Sequence, residues 1–96
     1  MTQLAINHIE NFAASLPPAS KVNVEAMGLL VLIEQRDGSH ILKTTRIHKG
    51  HGESITDAVN DAVAILRDYG HDATTPRQRS QRILDAAVAR ALECMA

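Results

Sequence analysis

Two histidines and a glutamate lie close together near the middle of this 96-residue sequence, in a pattern that metal sites use: His48, His51 and Glu53. Imidazole and carboxylate groups are zinc ligands, but a closed zinc site needs a fourth ligand. The single cysteine, Cys94, is far along the sequence. The pattern therefore favours a solvated loop, and we expect the five histidines on the surface, with no metal and no other cofactor.

Three arginines crowd the first turns of the last predicted helix: Arg77, Arg79 and Arg82. Positive charge at a helix N-terminus opposes the helix dipole. Residues that oppose the helix dipole without an evident compensating gain point to a functional site. We predict that these arginines bind a partner, together with Arg46 and Lys49. The other interpretation is a solvated face whose charge is balanced by the acidic helix before it.

No catalytic motif stands out. The serines lack the Gly-x-Ser-x-Gly context that exposes a nucleophile. The glycine-containing loop at residues 50–54 precedes a predicted helix, but it matches neither a P-loop nor a dinucleotide-binding motif. We therefore predict that the protein is not an enzyme.

The composition is that of one folded domain over residues 1–96, with 45% apolar residues and only two aromatic residues, Phe12 and Tyr69. Few aromatic side chains argue against a base-stacking platform for single-stranded nucleic acid. The net charge of −1 gives no general attraction to nucleic acid or to an anionic membrane.

We expect the protein in the cytoplasm. A single cysteine excludes an intrachain disulfide, as is usual in reducing compartments. The first residues lack the pattern of a secretory signal. No run approaches the ~18 apolar residues of a membrane-spanning helix, so no membrane partner is predicted.

A β-hairpin is the clearest structural element. Asp37-Gly38 separates two β-prone runs, residues 29–36 and 39–47, and Asp-Gly is a preferred two-residue hairpin turn. The run before it, residues 22–35, is too long for one straight strand, so we expect a bend near Gly28.

The hairpin has apolar residues on both faces of its first strand, and an isolated hairpin is not stable in water. We predict that hairpins of two copies pair across a homodimer into a four-stranded antiparallel sheet. In the register set by the Asp37-Gly38 turn, the interface face carries Leu30, Leu32, Ile41 and Ile47.

Three helices flank the hairpin. The first covers residues 3–15 and ends before Pro17-Pro18, because proline cannot continue a helix. The second is capped by Ser54 and ended by Gly70, and the third begins at Thr75 and Pro76. The fold class is therefore α+β, in the order αββαα. The third helix carries an apolar stripe that we expect to be buried: Ile83, Leu84, Ala87, Val88, Ala91, Leu92 and Met95.

A local motif follows the hairpin: Gly52-Glu53-Ser54-Ile55-Thr56-Asp57-Ala58, continuing to Ala62. With the hairpin before it, residues 29–66 resemble the ββα segment of HicB-like antitoxin domains. The resemblance implies a dimeric module that inhibits or sequesters a partner protein.

The sequence thus predicts a non-enzymatic protein–protein interaction module, a dimeric inhibitor or adaptor that binds a partner protein. It would be antitoxin-like, or of the accessory type that phages and other mobile elements encode. The alternative is a small nucleic-acid-associated regulator that uses Arg77, Arg79 and Arg82. DNA binding has less support, because neither helix-turn-helix spacing nor aromatic residues accompany these arginines.

Overall fold

A computed structural model describes residues 1–95 of the chain. It contains three helices and four strands, so the α+β class is confirmed. The order is αβββαβα rather than αββαα, because two strands were missed in the sequence. The elements are α1 (Gln3–Ser15), β1 (Lys21–Met27), β2 (Leu30–Asp37), β3 (His40–His48), α2 (Ile55–Asp68), β4 (Asp72–Thr74) and α3 (Pro76–Met95).

The four strands form one sheet in the order β3-β2-β1-β4. Strands β1, β2 and β3 are antiparallel neighbours. Strand β4 runs parallel to β1 and pairs only with residues 21–23. One chain therefore supplies a four-stranded sheet without the cross-dimer pairing that the sequence suggested.

The first missed strand is β1, which ends at Met27. A bend was predicted at the next residue, Gly28. Met27 pairs with Leu30, so residues 28 and 29 form a hairpin turn between β1 and β2. Gly28 has φ of +62°, a left-handed conformation that glycine adopts without steric cost. The apolar run of residues 22–35 is thus two strands, because the chain reverses at this glycine.

The second hairpin turn lies one residue later than predicted. Asp37 pairs with His40, so the turn residues are Gly38 and Ser39. A register shift at Gln35/Arg36 then leaves Leu42 as an extra residue in β3. Such a β-bulge sends the following side chains to the opposite face of the sheet.

The bulge corrects the predicted dimer face. Ile47 pairs with Val31 and lies in the core, on the face that the helices cover. Leu30, Leu32 and Ile41 remain on the opposite, open face. Ile47 therefore does not share their surface.

Helices α1 and α2 cover one face of the sheet. The apolar side of α1 and the residue that follows it are buried there, as Ile9, Phe12, Ala13 and Leu16 all belong to the core. The core is aliphatic apart from Phe12. Its largest fully buried side chains are Ile9, Val24, Val31, Ile33 and Leu66.

Both ends of α2 are formed as predicted. The Ser54 hydroxyl accepts a hydrogen bond from the Asp57 N–H at 3.1 Å. At the other end Gly70 has φ of +86°. There, His71 N–H donates to Leu66 O and Gly70 N–H to Arg67 O, the pattern of a Schellman cap.

His71 is buried, contrary to the surface position expected for the histidines. Its Nδ1 accepts a hydrogen bond from the Ser20 N–H at 3.2 Å. The other ring nitrogen, Nε2, must therefore carry the proton, and it donates to the Ala13 carbonyl at 2.8 Å. This imidazole joins the end of α1, the start of β1 and the start of β4.

Candidate functional site

Helix α3 projects from the body and buries none of its residues 76–95. The prediction that its apolar stripe is buried is therefore wrong. The molecule measures 53 × 30 × 22 Å, and every residue from Ser80 to Met95 is exposed. Five large apolar side chains lie within one half of the circumference of α3. They are called the α3 stripe below, and each is at least 50% exposed: Ile83, Leu84, Val88, Leu92 and Met95.

The start of α3 is formed by the predicted local cap. The Gln78 N–H donates to the Thr75 hydroxyl at 3.2 Å, and the Gln78 side chain accepts from the Thr75 N–H at 3.1 Å. This reciprocal pair is a capping box. Arg82 adds an ion pair with Asp72 of β4 at 3.2 Å. The ion pair joins α3 to the edge strand of the sheet.

A groove of about 840 Å³ lies at the base of α3. Strand β1 contributes Val24 and Ala26, and α2 contributes Ile55, Thr56 and Val59. The first turns of α3 form the remaining wall, through residues 75–78 and 81. Sequence reasoning missed this groove, because it depends on how three elements meet.

The groove runs along an unpaired part of the sheet. Strand β4 ends at Thr74, so residues 24–27 of β1 have no strand neighbour on that side within the described chain. The Ser20 carbonyl accepts from the Asp72 N–H at 2.9 Å on the same side. Because backbone groups alternate along a strand, those of Val24 and Ala26 also point toward the groove.

The structure separates the three arginines predicted to bind a partner. Arg77 lines the groove. Arg79 lines a different, smaller pocket of about 220 Å³ with Lys21 and Arg36. Arg82 is paired with Asp72.

The other two predicted partner-binding residues are on the far edge of the sheet. Arg46 is exposed on β3, the edge strand opposite β4, where α3 begins. Lys49 follows β3 and donates from Nζ to the Glu53 carbonyl at 2.8 Å. The five basic residues therefore do not form one surface.

The open face of the sheet is partly polar. Leu30 and Leu32 are half-buried, and Ile41 is exposed. Between them lies a buried pair, in which the Asn23 amide donates to the Glu34 carboxylate at 3.4 Å. This face is therefore less apolar than the α3 stripe.

The loop that resembled a metal site is held by other contacts. The Glu53 carboxylate lies 2.8 Å from the Met1 ammonium group, whose hydrogen bond lowers the pKa of Glu53. Glu53 in turn raises the pKa of Asp61 through a hydrogen bond between the two side chains. Within residues 1–95, no group of three His, Cys, Asp or Glu side chains is placed to hold a metal ion.

Comparisons with known proteins give no assignment. No protein-family model, curated protein or solved structure matches this chain. None of the described helices combines the length and the apolar character needed to cross a bilayer. The function is therefore inferred from the α3 stripe and the groove.

Proposed function

We propose that this chain is a non-enzymatic protein–protein interaction module whose binding surface is the α3 stripe. Five large apolar side chains, each at least half exposed, present on the order of 100 Å² apiece. Monomeric proteins rarely leave a contiguous apolar patch of several hundred Å² in water. The exposed stripe is the single observation that carries the proposal.

A second copy of the chain is the partner that the stripe fits. Most soluble oligomers are symmetric dimers in which one surface patch meets itself. Two stripes together present roughly 1,000 Å², about the area that a specific interface needs. We therefore propose a homodimer, as the sequence predicted, but with α3 instead of the hairpin at its interface.

The dimer leaves the sheet's open face free for a further protein. An inhibitor or adaptor would use that surface, which includes Leu30, Leu32 and Ile41. The resemblance of residues 29–66 to HicB-like antitoxins supports the inhibitor, acting in the cytoplasm on a partner protein.

Placing two arginines in the stripe tests self-association. With Leu84→Arg plus Val88→Arg, the dissociation constant should rise by more than about 100-fold, because each charge would be buried without a partner. The matched control is Ala86→Arg plus Ala89→Arg, which adds the same charge to the opposite side of α3. Light scattering should give twice the chain mass of 10.4 kDa for wild type and control, and the chain mass for the stripe variant. A monomeric wild type at micromolar concentration would contradict the proposal.

The nucleic-acid-associated regulator is the second candidate function. It is favoured by one observation, the convergence of Lys21, Arg36 and Arg79 around one pocket. Three cations at a concave surface attract phosphates. Glu34 lies 3.9 Å from Arg36 and offsets part of that charge, which places this candidate behind the interaction module.

Salt titration tests the second candidate. If the pocket binds phosphates, the affinity for a labelled DNA duplex should fall steeply with salt, and Arg79→Glu should weaken binding by at least about tenfold. Arg90→Glu is the matched control, because Arg90 is exposed on α3 outside that pocket. Fluorescence anisotropy that detects no binding at low salt, or equal losses in both variants, excludes this role.

A further inference from the structure

We propose that two copies pair through antiparallel α3 helices, so that the last turn of each α3 lies in the groove at the base of the partner's α3. This inference rests on the proposed function, since it assumes that the α3 stripe binds a second copy. It adds the direction of pairing and assigns an occupant to the groove. In each groove, β1, α2 and the start of α3 from one chain would contact the last turn of α3 from the other chain.

Charge sets the direction of pairing. Arg77 lies in the first turn of α3, seven residues before Leu84 and therefore on the same side of the helix, and it has no carboxylate partner within the described chain. Parallel helices would place Arg77 beside its own copy, which is repulsive. Antiparallel helices place it toward the partner's last turn, where the negative end of the helix dipole lies.

The length of α3 sets the register. The exposed part, Ser80 to Met95, is roughly 24 Å long at 1.5 Å per residue. When two such segments align fully and antiparallel, their midpoints meet near Val88. Met95 then lies beside the partner's Ser80 and Gln81. Because Gln81 is part of the groove wall, the last turn of one helix reaches the groove of the other.

The groove offers the surface that this last turn needs. Ala26 is exposed and Ile55 half-buried, so both present apolar atoms to the groove. Met95, at the end of the last turn, is 83% exposed and would cover them. Methionine adapts well to an irregular surface, because its side chain is unbranched and polarisable.

The same contact covers the unpaired edge of β1. Natural proteins protect exposed strand edges by laying a helix or loop over them. Within the chain, α3 leads away from this edge instead of lying over it. A partner's α3 would supply the missing cover, so one contact accounts for the exposed helix and the open edge together.

Disulfide trapping tests the direction, using the natural Cys94 at the tip of α3. In the antiparallel register Cys94 lies near the partner's Ser80, on the same flank of the paired helices. Ser80→Cys should therefore give a covalent dimer under mild oxidation, whereas the wild type should not, because the two Cys94 thiols are at opposite ends. Ala86→Cys is the matched control, since it places a thiol on the outer side of α3. A covalent wild-type dimer would show parallel pairing and overturn the inference.

Charge in the groove tests the occupant. Thr56 and Asn60 are exposed residues of α2 that line the groove. Thr56→Arg plus Asn60→Arg should weaken dimerisation by at least about tenfold. The control Ala14→Arg plus Ala64→Arg adds the same charge at exposed helical positions outside the groove and should leave dimerisation unchanged.

Light scattering on the same samples separates the two proposals. If the wild type is dimeric but the groove variant and its control associate equally, or Ser80→Cys cross-links no better than Ala86→Cys, the groove is not the docking site. The interaction module then stands with a different arrangement. If the wild type is monomeric, both proposals fail together.

Discussion

Replacing His71 with alanine should lower the free energy of unfolding by about 3 kcal/mol. The buried imidazole satisfies the Ser20 N–H and the Ala13 carbonyl at once. Alanine leaves both backbone groups without a partner, and an unsatisfied buried group costs about 1–3 kcal/mol. It also leaves a cavity where three elements meet. In a domain of this size such a loss is a large share of the total stability.

Urea unfolding measures this loss. Because dimerisation raises apparent stability, His71→Ala is compared in the monomeric Leu84→Arg plus Val88→Arg background. His51→Ala is the control, since His51 is exposed, and surface substitutions usually stay within about 0.5 kcal/mol. A loss below about 1 kcal/mol for His71→Ala would mean that water replaces the imidazole in both hydrogen bonds.

Helix boundaries were predictable because their signals are local. Ser54 and Thr75 cap the starts of α2 and α3, and Gly70 ends α2. Each of these contacts joins residues only a few positions apart. Side-chain type and spacing therefore determine them before any tertiary contact forms.

Strand pairing was predicted less well because it depends on distant residues. The turn at Gly28 was masked by the apolar residues on both sides of it. The bulge at Leu42 has no local signature, yet it moves Ile47 from the open face into the core. Strand β4 is only three residues long, too short for an alternating pattern, and it exists because it pairs with β1.

The α3 stripe shows the limit of periodicity. The spacing of Ile83, Leu84 and Val88 correctly indicated one apolar face, but a period cannot tell what covers that face. The stripe was therefore predicted to pack on the chain's own core. In the structure the sheet and two helices already complete a core without α3, so the stripe of α3 stays exposed, as do Ile41 and Leu42 of the hairpin.

Dilution should melt most of α3. The helix has 20 residues, against 13 in α1 and 14 in α2, and its exposed part makes no contact with the core cluster. Isolated helices shorter than ~12–15 residues are marginal in water, and a segment only slightly longer gains little, because helix nucleation is costly. Below the dissociation constant of the dimer, the helical signal should therefore fall by roughly a third.

Far-UV circular dichroism across the dissociation range measures this loss, with light scattering recording the oligomeric state. The Leu84→Arg plus Val88→Arg variant should show the reduced signal at every concentration. Intrinsic propensity does not explain such a reduction, since arginine favours helix about as well as leucine and better than valine. If the wild-type signal stays constant while the dimer dissociates, α3 is helical by itself. Pairing would then bury a preformed surface, and the free energy of dimerisation would include no unfavourable contribution from folding the helix.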